Sequence, residues 1–305
     1  MPNLAALDIV AAQQWIRKHV EPAGAIEKTH DRPWATVMRV PVADGVTWFK
    51  ACAEVQAFEP RLTAELYARW PDRVTKVLAV DESRRWLLLG DAGIAVRELG
   101  NPPEAWLEAL PLYAELQKGE TAHAMDHVRR GVPDLRMVAL PAGYEHLLAS
   151  ELPLTRGDVD RLREHAPRFA ELCSALAQLG IRESIQHDDL HLANLYSDGG
   201  MLRVVDWGDS SIAHPFFSLL ETFRFLEEFN HLAPNDAWFR RLRDAYLEPW
   251  GIELEGAFEI AMRVGWFVHA IAWTRQRNAL PLEARPNFDK AFAIILRRAV
   301  AQTRD

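Results

Sequence analysis

The period of the apolar positions changes near residue 92 of this chain. Before that point, short apolar runs have the alternation typical of strands, and after Gly93 most apolar residues recur with a helical period. The order therefore predicts a small β-rich unit followed by a large helical unit. The predicted strands in the first part are 36–42, 46–52, 74–80 and 86–89.

The first two predicted strands form a hairpin, because the turn residues Ala43-Asp44-Gly45 separate them. The returning strand, 46–52, carries a single lysine, Lys50. One helix is predicted in this part, from Glu59 to Arg69, since its apolar residues share one face.

The clearest helix of the second part is predicted over 158–179, where apolar residues keep a period near 3.6. Asp158 is its predicted N-cap, and Gly180 is predicted to end it. Further helices are predicted over 215–229, 235–247, 254–275 and 287–301.

The chemistry of the chain is concentrated between His187 and Asp206. Asn194 immediately precedes one short apolar strand, Asp206 follows the next, and Asp198-Gly199-Gly200 supplies the turn between the strands. A hairpin places its outer ends side by side, so the amide oxygen of Asn194 and the carboxylate of Asp206 are expected to converge. Oxygen ligands of this kind suit a hard cation such as Mg²⁺.

Asp189 lies five residues before Asn194, on the loop that enters the same hairpin. One loop and one hairpin are thus expected to bring a candidate base and two metal ligands together. This combination fits phosphoryl transfer, in which a carboxylate orients an acceptor hydroxyl and takes its proton while Mg²⁺ neutralises the phosphoryl oxygens.

The segment resembles the aminoglycoside phosphotransferase family of the protein-kinase-like superfamily. That family carries His-Gly-Asp-x-x-x-x-Asn, then an apolar strand and Asp-Trp or Asp-Phe. The matching residues here are His187, Asp189, Asn194, Asp206 and Trp207. The resemblance assigns the catalytic role to Asp189 and the metal-binding roles to Asn194 and Asp206.

The resemblance also implies an α+β, two-lobe protein-kinase-like fold. Residues 1–91 would form a small N-lobe, a nucleotide-binding β-sheet with one main helix. Residues 92–305 would form a mainly helical C-lobe with the catalytic loop and the acceptor site. The implied reaction is transfer of the ATP γ-phosphate, with Mg²⁺ and with GTP as a possible replacement, to a hydroxyl of a metabolite or antibiotic.

Four residues of the predicted N-lobe receive nucleotide-binding roles from the resemblance. Lys50 fits the strand lysine that binds ATP phosphates, and Glu59 fits its helical partner, with Glu65 as the alternative. Backbone groups of Leu89 and Asp91 would contact adenine at the hinge between the lobes.

The sequence departs from the family pattern at two places. Asp188 stands where glycine is commoner and adds a carboxylate beside the predicted base. Residues 29–34 occupy the place of a glycine-rich phosphate loop, and they contain no glycine.

Composition and charge limit the classes of partner that the protein is expected to bind. The net charge of −8 argues against general nucleic-acid binding, and the two cysteines among 305 residues form no disulfide framework. Residues 1–4 are not expected to begin a signal peptide, because they lack a basic region followed by an apolar stretch, and no apolar run is long enough to span a membrane. A cytoplasmic protein without a nucleic-acid or membrane partner is therefore expected, the resemblance implies a small-molecule acceptor, and the oligomeric state is left open.

Two other functions are compatible with parts of the pattern. His187, Asp189 and His191, with Asp206 and Asp209, resemble the ligands of a metal-dependent hydrolase, although that reading leaves Asn194 and Lys50 without roles. A non-catalytic nucleotide-binding module is the second.

A cationic acceptor could be bound by an aromatic cage or by an acidic helix face, although core packing and solvation explain the same residues. These residues are Trp238, Trp250, Trp266, Trp273, Glu221, Glu227 and Glu228.

Overall fold

The computed structural model describes residues 7–304, so the expectation about residues 1–4 lies outside the described part. The described chain divides into two compact units. The first unit contains the residues up to Ala109 together with Arg129–Val132 and Leu190–Asp209, and the second contains Leu110–Val128, Pro133–Asp189 and the residues from Ser210 onward. The assignment of nucleotide binding to 1–91 and of the acceptor site to 92–305 stays a prediction.

The first unit is built on a five-stranded antiparallel sheet with the order β1-β2-β3-β5-β4. The hairpin predicted around Asp44 is confirmed, since Val42 pairs with Gly45. The predicted strand 74–80 is shorter at its start. The strands are β1 (Glu27–Asp31), β2 (Ala35–Val42), β3 (Gly45–Cys52), β4 (Val77–Asp81) and β5 (Trp86–Leu89).

One face of this sheet is covered by helix α1 (Ile9–His19), which the sequence analysis did not predict. Trp15 of α1 packs edge-on against Phe49 and Trp86, with ring centroids 5.9 and 5.7 Å apart. Phe49 and Ala51 of β3 both belong to this core. Because side chains alternate along a strand, Lys50 is on the opposite face of the sheet.

The helix predicted from Glu59 to Arg69 forms with those bounds and is α2. Proline at its start suits the first turn, where a missing N–H costs nothing. Glu59 is the first residue of α2, and its side chain is almost completely buried.

The hairpin predicted between Asn194 and Asp206 is confirmed within the first unit. It consists of β8 (Leu195–Asp198) and β9 (Met201–Val204), and β6 (Ile94–Ala95) pairs with β8 on the other side. Gly199 and Gly200 form the turn with φ of 57° and 95°, values that favour glycine.

The second unit is mainly helical. A small antiparallel pair, β7 (Ser184–Gln186) and β10 (Ser211–Ala213), lies beside the helices. Helix α9 is buried over much of its length and contacts α5, α6, α7 and α10. The helices are α4 (Ala124–Arg129), α5 (Leu140–Ala149), α6 (Arg156–Gln178), α7 (Leu219–Glu228), α8 (Ala237–Leu247), α9 (Glu255–Ala279) and α10 (Arg285–Gln302), while α3 (Pro103–Glu120) spans the boundary between the units in the chain.

The prediction that Asp158 caps α6 is wrong. Thr155 is the N-cap, because its hydroxyl accepts a hydrogen bond from the Asp158 N–H at 3.2 Å. The helix therefore begins at Arg156. The helix predicted over 215–229 begins with a short 3₁₀ turn, and α7 proper starts at Leu219.

The small antiparallel sheet and the mostly helical remainder confirm the α+β class. Among residues 7–304, no helix is long and apolar enough to cross a membrane.

Gly93 is predicted to be irreplaceable by alanine. Its φ is +97°, and a Cβ would lie 2.2 Å from the carbonyl oxygen of Ser197 on β8. Gly93→Ala should therefore lower the free energy of unfolding by clearly more than ~1 kcal/mol, the scale of backbone strain alone.

Gly100→Ala is the matched control for this prediction. Gly100 also has a positive φ, +83°, but a Cβ there would meet nothing within 4 Å. Urea unfolding of both variants separates the cost of backbone strain from the cost of the steric clash with Ser197. Equal losses of unfolding free energy in the two variants would contradict the argument.

Candidate active site

Lys50 is the centre of a buried charge cluster in the first unit. Its Nζ donates to Glu59 Oε1 at 2.7 Å and to Asp206 Oδ1 at 2.5 Å. The lysine reaches these groups because β3 turns it away from the α1 face, α2 begins at Glu59, and Asp206 follows β9 closely. The structure thus brings together three residues that the sequence analysis selected.

Burial alone would lower the pKa of Lys50, but the carboxylates of Asp206 and Glu59 outweigh it and raise that pKa well above its usual value. Lys50 is therefore a fixed cation. Breaking such a buried pair by removing one partner typically costs ~3–5 kcal/mol, because the other charge stays buried.

Glu59, and not Glu65, is the partner of Lys50. Glu65 accepts from Arg61 at 3.0 Å and from Arg130 at 2.6 Å. That these residues bind ATP phosphates stays a prediction.

Asn194 and Asp206 lie at the outer end of the β8–β9 hairpin. Leu195 pairs with Val204, and the Val205 N–H donates to the Asn194 carbonyl at 3.0 Å, so the two chain segments are adjacent there. The Asn194 side chain is buried, whereas 49% of the Asp206 side chain is exposed. Asp206 has a φ of 64°, a strained region that aspartate tolerates better than most residues. Their predicted metal-binding roles stay a prediction.

Gln56 is a residue that the sequence analysis missed. It is buried in a 3₁₀ turn between β3 and α2, and its Nε2 donates to Asp209 Oδ1 at 2.9 Å. A Cβ on Gly208 would lie 2.6 Å from the end of the Gln56 side chain, so that side chain would have to move if another residue replaced Gly208. Gln56 thereby fixes the segment that follows Asp206.

The predicted adenine contacts lie at the end of β5. Leu89 is the last residue of that strand, and the next N–H, of Gly90, donates to the Lys76 carbonyl at 2.8 Å. The Asp91 carboxylate is occupied locally and accepts from the Gly93 N–H at 3.1 Å. Contact between adenine and the backbone of Leu89 and Asp91 stays a prediction.

The segment in the place of a phosphate loop forms the end of β1 and a tight turn. Arg32 and Ala35 exchange backbone hydrogen bonds at 2.9 and 3.2 Å, which leaves two residues, Pro33 and Trp34, in the turn.

Asp189 belongs to the second unit, where His187 holds its backbone. The His187 ring is buried, and its Nδ1 accepts from the Asp189 N–H at 3.3 Å. The His187 N–H in turn donates to the Tyr113 hydroxyl at 3.1 Å. His187 thus supports this loop through its ring and its backbone. Asp189 itself is partly exposed, and its role as a base stays a prediction.

Asp188, which stands where the family pattern has glycine, is buried, and both of its carboxylate oxygens accept hydrogen bonds. Its carboxylate accepts from Gln186 Nε2 at 2.6 Å and from Ser211 Oγ at 2.8 Å. The Nδ1 of His269, on α9, lies 3.6 Å from the same carboxylate. The extra carboxylate expected beside the base is therefore tied to β7, β10 and α9.

His269 lies between two carboxylates in the second unit. Its Nε2 is 3.1 Å from Glu221 Oε1 on α7, at ion-pair distance but outside hydrogen-bonding geometry. Burial would lower the pKa of His269, but the carboxylates of Asp188 and Glu221 raise it to about 10. Burial likewise would raise the pKa of Glu221, but His269 and Arg224 lower it to about 2.

The acidic face of α7 is neutralised within the protein. Glu221 pairs with Arg224, Glu227 lies 3.1 Å from Arg298, and Glu228 lies 2.8 Å from Arg224. These acids thus already have positive partners, and the suggestion that they attract a cationic acceptor gains no support.

Trp266 is one of the tryptophans considered for an aromatic cage. Its side chain is buried, and the guanidinium of Arg298 lies over it, 5.0 Å from the centroid of the indole ring. Trp266 therefore already has a cationic partner within the protein.

The hydrolase interpretation also gains no support. Within residues 7–304, no group of three or more His, Cys, Asp or Glu side chains is placed to hold a metal ion. His191, one of its expected ligands, has its Nδ1 accepting from the Ala193 N–H at 3.0 Å.

Comparison with known proteins gives similarity in structure only. No protein-family model matches the chain, and no curated protein matches it in sequence. A choline/ethanolamine kinase family protein from Mesorhizobium loti matches with a TM-score of 0.58 at 18% identity, over 99% of this chain and 96% of that one. Choline kinase LicA from Streptococcus pneumoniae matches with a TM-score of 0.63 at 13% identity, over 95% and 99%.

The phosphotransferase APH(2″)-IIa, in its complex with streptomycin and ATP, matches with a TM-score of 0.58 at 15% identity, over 99% of both chains. The chain has the protein-kinase-like fold. The resemblance drawn from the catalytic motif is confirmed at the level of this kinase-like fold. The three structures named above are small-molecule kinases by name, and at 18% identity or less they show the fold of this chain alone.

The charge state of His269 predicts a specific pH dependence of stability. Its pKa in the folded protein, about 10, exceeds the usual 6.5 of the unfolded chain. The stabilisation it provides is therefore complete below about pH 6.5 and is lost as the pH rises towards about 10. His269→Gln should lower the free energy of unfolding most at about pH 6, and the difference from wild type should shrink by about pH 9.5.

Urea unfolding across that range checks this prediction. His146→Gln, at an exposed position of α5, is the control and should show a small, pH-independent change. A loss for His269→Gln that is the same at both ends of the range would contradict the argument.

Proposed function

We propose that this protein is a small-molecule kinase that transfers the γ-phosphoryl group of ATP to a hydroxyl of a metabolite or antibiotic. The observation that carries the proposal is the Lys50 ammonium, buried and bound by both Glu59 and Asp206. Such a cation, held on a strand next to a candidate metal ligand, is what positioning a nucleotide phosphate requires. The kinase-like fold supports the same activity.

The donor atoms of the hairpin end fit Mg²⁺. Asn194 offers an amide oxygen and Asp206 an exposed carboxylate, and Mg²⁺ takes one or two such protein ligands beside phosphate and water. When bound, Mg²⁺ neutralises charge on the phosphoryl oxygens. In this proposal Lys50 binds the phosphates, Glu59 orients Lys50, and backbone groups of Leu89 and Asp91 bind the adenine.

Asp189 orients the acceptor hydroxyl and takes its proton. Its backbone is held by His187, so the carboxylate is presented from a fixed point of the loop. GTP is the alternative donor, and a matching phosphotransferase structure with GDP and kanamycin supports testing both nucleotides.

The first experiment is a screen for Mg-ATP consumption over amino alcohols, aminoglycosides, amino acids and sugars, followed by variants on the acceptor that reacts. Asp189→Asn should lower kcat by about 10²–10⁴-fold, since a positioned base contributes on that scale, and should leave the affinity for Mg-ATP nearly unchanged. Asp198→Asn, at the exposed turn of the hairpin, is the matched control and should retain wild-type kcat.

Wild-type turnover by Asp189→Asn would refute its role as base. Mg-ATP binding by the wild-type protein without phosphorylation of any acceptor would instead favour a non-catalytic nucleotide-binding module.

The metal role of Asp206 makes a separate prediction. Asp206→Asn should weaken Mg-ATP binding by about tenfold or more, because one charged ligand is lost, while the weaker binding of ATP without Mg²⁺ should improve or stay constant. Titration calorimetry with and without Mg²⁺ measures both. Equal losses in the two titrations would mean that Asp206 acts only through Lys50.

Lys50 requires a compensated variant, since Lys50→Met alone would leave Glu59 buried without its cation. Lys50→Met with Glu59→Gln removes the pair together and should lower kcat/KM for Mg-ATP by about 10²-fold or more. Lys290→Met, at an exposed position of α10, is the control. An unchanged kcat/KM in the folded double variant would refute the phosphate-binding role.

A further inference from the structure

We infer that Asp188 is a positioning residue, which holds the Asp189 loop in place through a buried chain of charges formed with His269 and Glu221. The inference rests on the proposed function, because the position of the loop matters to a reaction only if Asp189 acts in one. It gives a role to the residue that departs from the family pattern.

The first support is the place where the Asp188 carboxylate is bound. One oxygen accepts from Gln186 at 2.6 Å and the other from Ser211 at 2.8 Å. Gln186 and Ser211 face each other across the β7–β10 ladder. The carboxylate therefore clamps the two strands at the point where the chain leaves β7 towards Asp189.

The second support is the alternation of charge behind the carboxylate. His269 lies 3.6 Å from Asp188 and 3.1 Å from Glu221, and Glu221 is bound in turn by Arg224. Asp188, His269 and Glu221 are all nearly inaccessible to solvent. Charges buried in this way hold their geometry tightly, because separating any neighbouring pair leaves an uncompensated charge. The chain of charges links the loop to α9 and α7, two helices of the same unit.

The third support is the backbone of Asp188, which has a φ of 64°. Glycine adopts this conformation freely, whereas most other residues pay roughly 1–2 kcal/mol for it and aspartate pays less. A side chain at this position is therefore unfavourable locally. The contacts made by its carboxylate offset that cost, which is expected of a group with a definite task and not of a solvated loop acid.

The experiment compares Asp188→Asn and His269→Gln with a control that breaks a different ion pair of α9. Asp289→Asn is that control, because Asp289 binds Arg277 at 2.5 and 2.9 Å, and Arg277 is eight residues after His269 on the same helix. The measurements are kcat and KM for Mg-ATP on the acceptor found by screening, and hydrogen exchange of the backbone amides of 186–194.

If Asp188 positions the loop, both variants lower kcat by about 10–100-fold, since a displacement of about 1 Å is enough for such a loss. KM for Mg-ATP stays within about threefold of wild type, because the loss falls on the chemical step. Exchange of the Asp189 amide, which donates to His187, rises at least about tenfold. Asp289→Asn lowers stability without either effect.

Two results would overturn the inference. One is a kcat within about twofold of wild type in folded Asp188→Asn and His269→Gln, whatever the exchange shows. The other is unchanged exchange over 186–194 in both variants. If Asp188→Asn does not fold, Ser211→Ala takes its place, since it removes one bond to the Asp188 carboxylate without removing a charge.

Failure of the proposed function gives a different result. If the wild-type protein phosphorylates no acceptor, the kinase proposal fails, and hydrogen exchange alone then decides whether Asp188 holds the loop. Increased exchange in both variants with normal exchange in Asp289→Asn would then show that Asp188 holds the loop, without a role for the loop in phosphoryl transfer.

Discussion

The buried ammonium of Lys50 is the constraint on which the first unit depends. A charge taken out of water is stable only beside opposite charges, so β3, the entrance of α2 and the segment after β9 must meet at one point. Gln56, which lies between β3 and α2, adds a hydrogen bond to Asp209 in the segment after β9. The positions of these elements are therefore linked through polar contacts and not only through the apolar core beneath α1.

The second unit repeats this arrangement with a different cation. His269 takes the place of lysine, and Asp188 and Glu221 take the place of the two carboxylates. Both clusters include an aspartate with a φ of 64°, Asp188 in one and Asp206 in the other. Such backbone strain concentrates at functional sites, where surrounding contacts can hold it. The two strained aspartates both lie within the segment from His187 to Trp207 that carries the motif.

Sequence reasoning succeeded where the signal was local. The β2–β3 hairpin, the bounds of α2 and the β8–β9 turn follow from neighbouring residues, and the motif selected Lys50 and Glu59 before their contact was visible. Helix α1 could have been found in the same way, since Asp8 caps it and Trp15 and Ile16 mark its buried face.

The remaining features depend on packing between distant parts of the chain. His269 lies in the middle of a largely apolar helix, and nothing near it in the sequence indicates that Asp188 and Glu221 will surround it. The sequence near Gln56 likewise does not indicate its role, because its contacts with Gly208 and Asp209 form only in the folded chain. Asp188 looked like an extra charge beside a base, and only the fold shows that Gln186 and Ser211 bind it.

The two charge clusters bear on function more strongly than the likeness in fold does. At 18% identity or less, the matching structures establish how the chain folds and not what it does. Buried ion pairs, however, are weak sources of stability, and well-packed apolar residues in their place are often neutral or stabilising by about 1–4 kcal/mol. A protein that needed only this fold would gain nothing by burying Lys50 and Glu59 in the first unit. Their presence, with Asp206 reaching solvent from the same cluster, agrees with the proposed role, in which this cluster would receive a ligand that carries negative charge and a metal ion.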